Sequence, residues 1–423
     1  MQSVIRRAHR LDWFAFVVGE YSICNLGHFA VMAILSLFLI TSLHLAAIEA
    51  GGILLFASLS FRLSRVFIAP LANRLPVKQA TYLALFLTSL GYLCMSFAHT
   101  AVIVMALLLM VGIGHGTNSL LVKTMTANAK NRAGAYDTSL FLRYSLLTTG
   151  INLAAAVGAL IGSALLLHSS ASSVFILASV MYALAGCVAL RLPSQEQEQV
   201  RQTNWSVELR RSLRVPALWR AMLVAALGWF LYTQSYASLP LFVTQGVHRA
   251  DLLGTMFALN AVLVVIGQLP ISRATARLRL PIAECATLAF LIFAAGFALL
   301  WLIPIWQMIY AAVALWTLAE ILLMPALDTL VAEGSLPEYK RMAFTLNSVA
   351  VSIGEGLGNL VGVSLASLLL KTGEINGLYA LLSLCALLAL GMTIVTSNRH
   401  EALVFRLLRG QALLPTEQED TQS

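Results

Sequence analysis

Charge is what this chain has least of. Of its 423 residues only 11% are Asp, Glu, Lys or Arg, while 59% are hydrophobic, and the mean hydropathy is +0.83. A soluble domain of this size carries about 25% charged residues to solvate its surface. With less than half of that share, the chain cannot cover a water-facing surface, so lipid must be the solvent for most of it. Cysteine is sparse as well. Cys24, Cys94, Cys187, Cys285 and Cys385 all sit in apolar runs without metal-ligand spacing, which predicts packing residues, no disulfide and no metal site. The sequence patterns of catalysis are missing too, with no H-E-x-x-H, no P-loop and no G-x-S-x-G. No enzymatic activity and no cofactor are expected. The net charge of +8 would point to nucleic acid in a soluble protein. In a chain this apolar, basic loops on one membrane face explain it, and no nucleic-acid partner is expected.

What is present is a series of apolar runs. The N-terminus has a basic start, Arg6, Arg7 and Arg10, and the apolar stretch behind it, roughly 30 residues, exceeds the 7–15 of a signal-peptide core. A span needs about 20 apolar residues, and twelve such runs occur, at 13–42, 46–72, 79–99, 102–126, 143–167, 171–191, 218–246, 250–272, 282–303, 305–332, 342–370 and 375–396. With the N-terminus inside, one side gathers Arg6, Arg7, Arg10, Lys130, Arg132, Arg210, Arg211, Lys340 and Arg341 among others, and the other keeps only Arg249 and Lys371. That bias places both termini in the cytoplasm. Residues 192–217, LPSQEQEQVRQTNWSVELRRSLRVPA, are the long polar interruption. The expected division is therefore a six-helix bundle over 1–191, a cytoplasmic linker over 192–217, a second six-helix bundle over 218–399 and a cytoplasmic tail over 400–423. Trp205–Leu213 within the linker can lie as an amphipathic helix on the inner leaflet.

The chain also repeats itself. Residues 344–363 read FTLNSVAVSIGEGLGNLVGV, and residues 144–163 read YSLLTTGINLAAAVGALIGS. Phe344 answers Tyr144, Leu346 answers Leu146, and Gly358 and Gly362 answer Gly158 and Gly162. Gly354, Gly358 and Gly362 fall every fourth residue, on one stripe of a helix where a second backbone can come close. A repeat at nearly half the chain length implies two similar halves.

Six spans, a linker, six spans and a glycine-patterned repeat in spans five and eleven resemble the major facilitator superfamily. Several local stretches agree. Residues 69–78, APLANRLPVK, are similar to the superfamily loop G-x-L-A-D-R-x-G-R-K between spans two and three, with Asn73 in place of the Asp and with Arg74 and Lys78 kept. Arg277 is what remains of the counterpart in the second half. LAAAVGALIGS (153–163) is similar to the span-five motif of drug–proton antiporters, with Ala159 for its proline, and LWTLAEILLMPALDTLVAE (315–333) resembles span ten of bacterial drug exporters at Glu320 and Pro325. The resemblance implies an all-α membrane protein, twelve transmembrane helices in two pseudo-symmetric bundles. It further implies a proton-coupled secondary transporter, with Asn73, Arg74, Lys78 and Arg277 at the gate.

Ionisable groups inside a membrane are functional candidates because each costs at least about 2.5–3.5 kcal/mol at the bilayer centre. Glu320 and Glu355 lie near the midplane and suit proton coupling, since a carboxyl taken out of water holds its proton up towards neutral pH. Glu20 and His115 are further proton-coupling candidates. Glu20 and Arg65 lie at similar depth and are expected to pair. Arg62, one turn deeper, either attracts an anion or pairs with Glu320 or Glu355. Asn25, His28, Asn118, Asn152, Tyr232, Gln234 and Asn260, with Arg62 and Arg65, are the candidate substrate contacts.

The expected activity is export of a small organic, drug-like molecule across a bacterial inner membrane by a monomer, coupled to protons and embedded in the lipid bilayer. Export of an anionic metabolite such as a carboxylate siderophore, import of a nutrient, and a non-transporting membrane sensor are the alternatives.

Overall fold

The computed structural model describes residues 2–72, 75–128, 138–191, 205–249, 251–278 and 280–396. The first half contributes α1 (Gln2–Leu37), α2 (Ala47–Ala72), α3 (Val77–Met95), α4 (Ala101–Asn128), α5 (Thr138–His168) and α6 (Ala171–Ala189). A short helix, α7 (Trp205–Ser212), precedes α8 (Pro216–Tyr232) and the single turn α9 (Leu239–Leu241). Then follow α10 (Leu252–Arg277), α11 (Ile282–Leu302), α12 (Trp306–Glu333), α13 (Lys340–Thr372) and α14 (Asn376–Thr396). No strand occurs among the described residues.

Local chemistry sets the ends. Proline precedes or opens three helices, at Pro76, Pro216 and Pro281, where its missing N–H is no loss and its fixed φ suits entry. Ser170 caps α6 by accepting from the Ser173 amide at 3.3 Å. Gly373 closes α13 in the left-handed region at φ 76°, a conformation that glycine adopts without penalty.

Among the described residues, nine helices are individually long and apolar enough to cross a membrane, or ten if α7 with Pro216–Gly246 is one bent span. α3 falls short because Lys78, Gln79 and its hydroxyl residues dilute it. It takes its place by packing on α4 and α6. Large apolar side chains face outward, including Leu160, Leu167 and Val395, as a lipid-solvated surface requires. The bend between α7 and α8 is 81°, so α7 turns sharply away from the span it precedes. The tail at 400–423 and the first half of the linker, 192–204, lie outside the described residues.

The internal repeat is carried in backbone geometry beyond the glycines. α1 runs into a widened π turn at Phe38–Ser42, and α9 runs into one at Phe242–Gly246, 204 positions on (242 − 38, 246 − 42). Two residues past each, His44 and His248 sit at φ 53° and 56°. The glycine stripes act as their spacing predicts. A Cβ on Gly158 or Gly162 would strike the α1 backbone at Leu26 or Ala30. A Cβ on Gly354 or Gly358 would strike the α8 backbone at Ala226 or Phe230. α5 thus lies against α1 as α13 lies against α8.

Two large apolar cores result, with a small third of Phe141, Cys285 and Ala326 between the halves. The second is built from α8–α14 alone, whereas the first joins α1–α6 to Leu218, Met222, Val331, Ala343 and Phe344. The halves therefore meet at the end where α2, α4, α10 and α12 finish and α5 and α13 begin. Tyr144 and Phe344, matched by the repeat, touch there with ring centroids 6.2 Å apart, and Ser272 donates to Ser145 at 2.8 Å.

Candidate functional site: a charged seam and an aromatic cleft

α2 supplies the seam. Arg62 reaches across to Glu355 on α13, NH2 to Oε2 at 2.5 Å, with both side chains about one-quarter exposed (23% and 26%). Its guanidinium also lies over Trp229 on α8, 4.6 Å from the ring centroid, a cation–π contact that fixes its direction. Of the two alternatives open for Arg62, pairing with Glu355 is the one realised. One turn along, Arg65 donates to Ser348 on α13 at 2.9 Å and to Ser119 on α4 at 3.1 Å.

The expected pairing of Glu20 with Arg65 does not occur. Glu20 instead accepts from Asn118 at 2.7 Å and from Cys24 at 3.2 Å, and its second oxygen has no hydrogen-bond partner among the described residues. Equal depth along two helices does not give equal direction. Glu20 faces α4, whereas Arg65 points into the seam.

Glu320 stands apart from Glu355. Buried on α12, it accepts from the Tyr232 hydroxyl at 3.0 Å and the Asn260 amide at 3.1 Å, and Asn260 also donates to Thr317 at 2.9 Å. Around it opens a cleft lined by Tyr232, Tyr236, Met256, Phe257, Trp316 and Glu320 among others. The Trp316 indole turns its N–H edge towards Gly296 on α11, where any side chain would collide with it. The missing Cβ thus lets the ring lie flat in the wall. Trp229, Tyr232 and Tyr236 form an aromatic run, with centroids 5.5 and 5.2 Å apart. Seam and cleft are joined through it, from Arg62 over Trp229 to Tyr232 on Glu320.

His28 and His115 come together away from Arg62. Their rings stack at 4.3 Å and 9°, and each Nδ1 meets a tyrosine hydroxyl, Tyr92 at 3.1 Å and Tyr182 at 2.6 Å.

Three candidate substrate contacts are spent inside the protein. Asn25 donates to its own helix at Tyr21 (2.7 Å), Asn118 to Glu20, and the fully buried Gln234 to Phe230 and Gly358 carbonyls at 3.0 and 2.9 Å. Gln234 thereby ties the turn after α8 to α13 rather than facing a cavity. Asn152 is half-buried on α5, away from these groups. Of the expected gate, Asn73 and Arg74 lie outside the described residues. Lys78 donates to the Leu190 carbonyl that ends α6, at 2.9 Å, as a cation at a helix C-terminus should, and within one half. Arg277 is exposed at the end of α10. The five cysteines are free, with Cys94 and Cys187 exposed on α3 and α6.

Composition reading passed over one ion pair. Lys123 on α4 and Asp328 on α12 bridge the halves at 2.7 Å, and Lys340 on α13 donates to the Ala127 carbonyl at 2.7 Å. Both ionisable groups sit near the edge of an apolar run, and Asp328 lies two turns after Glu320 on the same helix.

The model of the Major Facilitator Superfamily matches residues 140–359. No curated protein sequence matches the chain. Among solved structures, the human organic anion transporter MFSD10 (TETRAN) superposes with a TM-score of 0.73 at 17% identity, covering 91% of this chain and 99% of that one. The Escherichia coli fucose:proton symporter FucP gives 0.71 at 14% identity, with 91% and 98% covered. A peptide transporter POT in complex with alafosfalin gives 0.67 at 13%, with 90% and 93% covered. At these identities the likeness is one of fold, and it extends over nearly the whole chain. The matched family model spans both halves and the seam between them: the chain belongs to the Major Facilitator Superfamily, a multi-pass membrane transporter and not an enzyme.

Proposed function

We propose that the chain exports an amphipathic, drug-like organic molecule from the cytoplasm in exchange for protons, with Glu320 as the coupling carboxyl. One observation carries this reading: a single buried carboxylate, held by Tyr232 and Asn260, in the wall of a cleft that four aromatic side chains also line. A proton and a cationic group on the substrate compete for the same negative charge, so binding one favours release of the other. The aromatic walls offer apolar area and π faces to an organic cation. Without a nucleotide site, uphill movement must draw on an ion gradient. The excess of Lys and Arg on one side supports cytoplasmic termini and hence an opening of the cleft opposite to the closed seam. The division at 192–217, the bacterial inner membrane and a monomeric state belong to the same proposal.

The second reading, export of an anionic metabolite, rests on Arg62. It requires Glu355 to release the guanidinium, so Glu355 would act as an internal stand-in for the substrate carboxylate.

Cells expressing the chain and cells expressing Glu320→Gln can be compared for accumulation of a fluorescent lipophilic cation. The expected result is lower accumulation with the unaltered chain, abolished by a protonophore and by the substitution. An unchanged difference in protonophore contradicts the proton coupling. A difference seen only with organic anions transfers the assignment to Arg62.

A further inference from the structure

The two halves carry different titratable pairs at matching positions. Gly91 on α3 abuts Val111 on α4, and Gly296 on α11 abuts Trp316 on α12, so 111 corresponds to 316 and His115 to Glu320. Likewise α1 meets Gly162 at Ala30 as the α8 side meets Gly362 at Gln234, so His28 corresponds to Tyr232. The hydrogen bond from Tyr232 to Glu320 therefore has the His28–His115 stack as its counterpart. The surroundings differ in one telling way. Tyr92 corresponds to Phe297, so the first half adds a hydroxyl where the second has none.

We propose that His28 and His115 form a second proton-binding site whose protonation loosens the seam through α2. The hydroxyls suit this role because each can donate to a neutral imidazole nitrogen and accept from a protonated one. A proton can thus arrive without stranding either tyrosine. The rings stack directly on one another, and Arg65 stands across Gly116, whose Cβ position lies 3.4 Å from the arginine chain, so a charge added to the closed pair would meet a like charge and no water. The ligand consequently binds better to a state in which the pair is hydrated, which is the condition for shifting the equilibrium towards that state.

α2 is the mechanical link. Phe61 lays its ring edge on His28 at 4.8 Å and on His115 at 5.9 Å. The next residue, Arg62, holds Glu355, and Arg65 holds Ser348. Ser60 and Phe61 press their backbones onto Gly112 and Gly116 of α4, with 2.7 Å to each glycine's Cβ position, so α2 cannot slide independently of α4. The titratable and charged groups facing the pair are Arg65 on α2, Tyr92 on α3 and Tyr182 on α6, and Glu20, Tyr21 and Cys24 on α1 stand near Tyr182. Glu20 and Cys24 stand on the same α1 stripe as His28, at four-residue steps, which puts Glu20 about 12 Å along the helix from it.

The proposal takes from the proton-coupled reading only the use of the proton, not its binding. Nitroxides at Leu190→Cys and Leu278→Cys, exposed beyond α6 and α10 at the closed end, report seam opening by pulsed electron–electron spectroscopy on protein whose native cysteines are serine. The expected result is a shift to longer distances between pH 8 and pH 5.5, lost in the folded His28→Gln/His115→Gln variant and kept in Glu320→Gln. Retention of the shift in the histidine variant, its loss in Glu320→Gln, or no shift in the parent protein overturns the proposal. Should the double variant fail to fold, His115→Gln alone must at least halve the shifted population. Transport indifferent to a proton gradient, with the distance shift intact, defeats the proton-coupled reading and supports this one.

Discussion

Replacing Glu355 by Gln removes the carboxylate that Arg62 holds across the seam while keeping the side chain's size. Removing one member of a buried pair costs about 3–5 kcal/mol because a charge is left uncompensated. Here both side chains are about one-quarter exposed, so water recovers part of that loss. Trp229 also continues to hold the guanidinium face. A cost of about 1–3 kcal/mol is therefore expected for Glu355→Gln, and a similar one for Arg62→Gln. In the double variant neither charge remains, and the cost should fall short of the sum by roughly 1–2 kcal/mol. Reversible unfolding of the purified protein in mixed micelles, across the four members of this cycle, measures that coupling. Additive single costs would show that the pair contributes nothing between the halves and would refute the seam as drawn.

Two further outcomes follow from the packing. Gly358→Leu drives a side chain into the α8 backbone at Phe230, whose carbonyl oxygen is 2.8 Å from the Cβ position, and should abolish folded protein by size-exclusion chromatography. Gly356, with open space around it, should accept the same change. Lys123→Gln breaks the bridge to Asp328 and should make a cysteine placed at the seam label several-fold faster, with Asp328→Asn reversing part of that gain. Equal labelling of the parent and Lys123→Gln would remove this pair from the seam.

The fold was largely legible in the residues, and for a physical reason. Hydropathy states where each span lies, and glycine at every fourth position states which faces touch, because a missing Cβ has a consequence in any tight helix pair. The repeat at 144 and 344 thus foretold that α5 and α13 would each take a close backbone neighbour, and the structure names those neighbours as α1 and α8. The matching π turns and left-handed histidines at 44 and 248 were harder to see. They rest on a sparse signal, a Phe and a His at fixed spacing in otherwise different loops. The site was legible only as a set of residues. Sequence gives depth along a helix, so Glu20 and Arg65 looked like partners, yet rotation about the helix axis points them at different neighbours. For the same reason Gln234 looked available and is consumed by Gly358, and His28, a candidate substrate contact, stacks on His115. Lys123 and Asp328 escaped because a charge at the edge of an apolar run reads equally well as a loop residue.

The central claim is that Glu320 exchanges a proton against the organic substrate. Its most direct test is purified protein in liposomes loaded with a pH-sensitive dye, with an organic cation gradient imposed across a pH-equilibrated membrane. The account predicts that cation movement drives protons the opposite way, and that Glu320→Gln, which lacks the charge both ligands share, moves neither. Proton movement of unaltered size in Glu320→Gln, or cation transport without any proton movement in the parent protein, would contradict it.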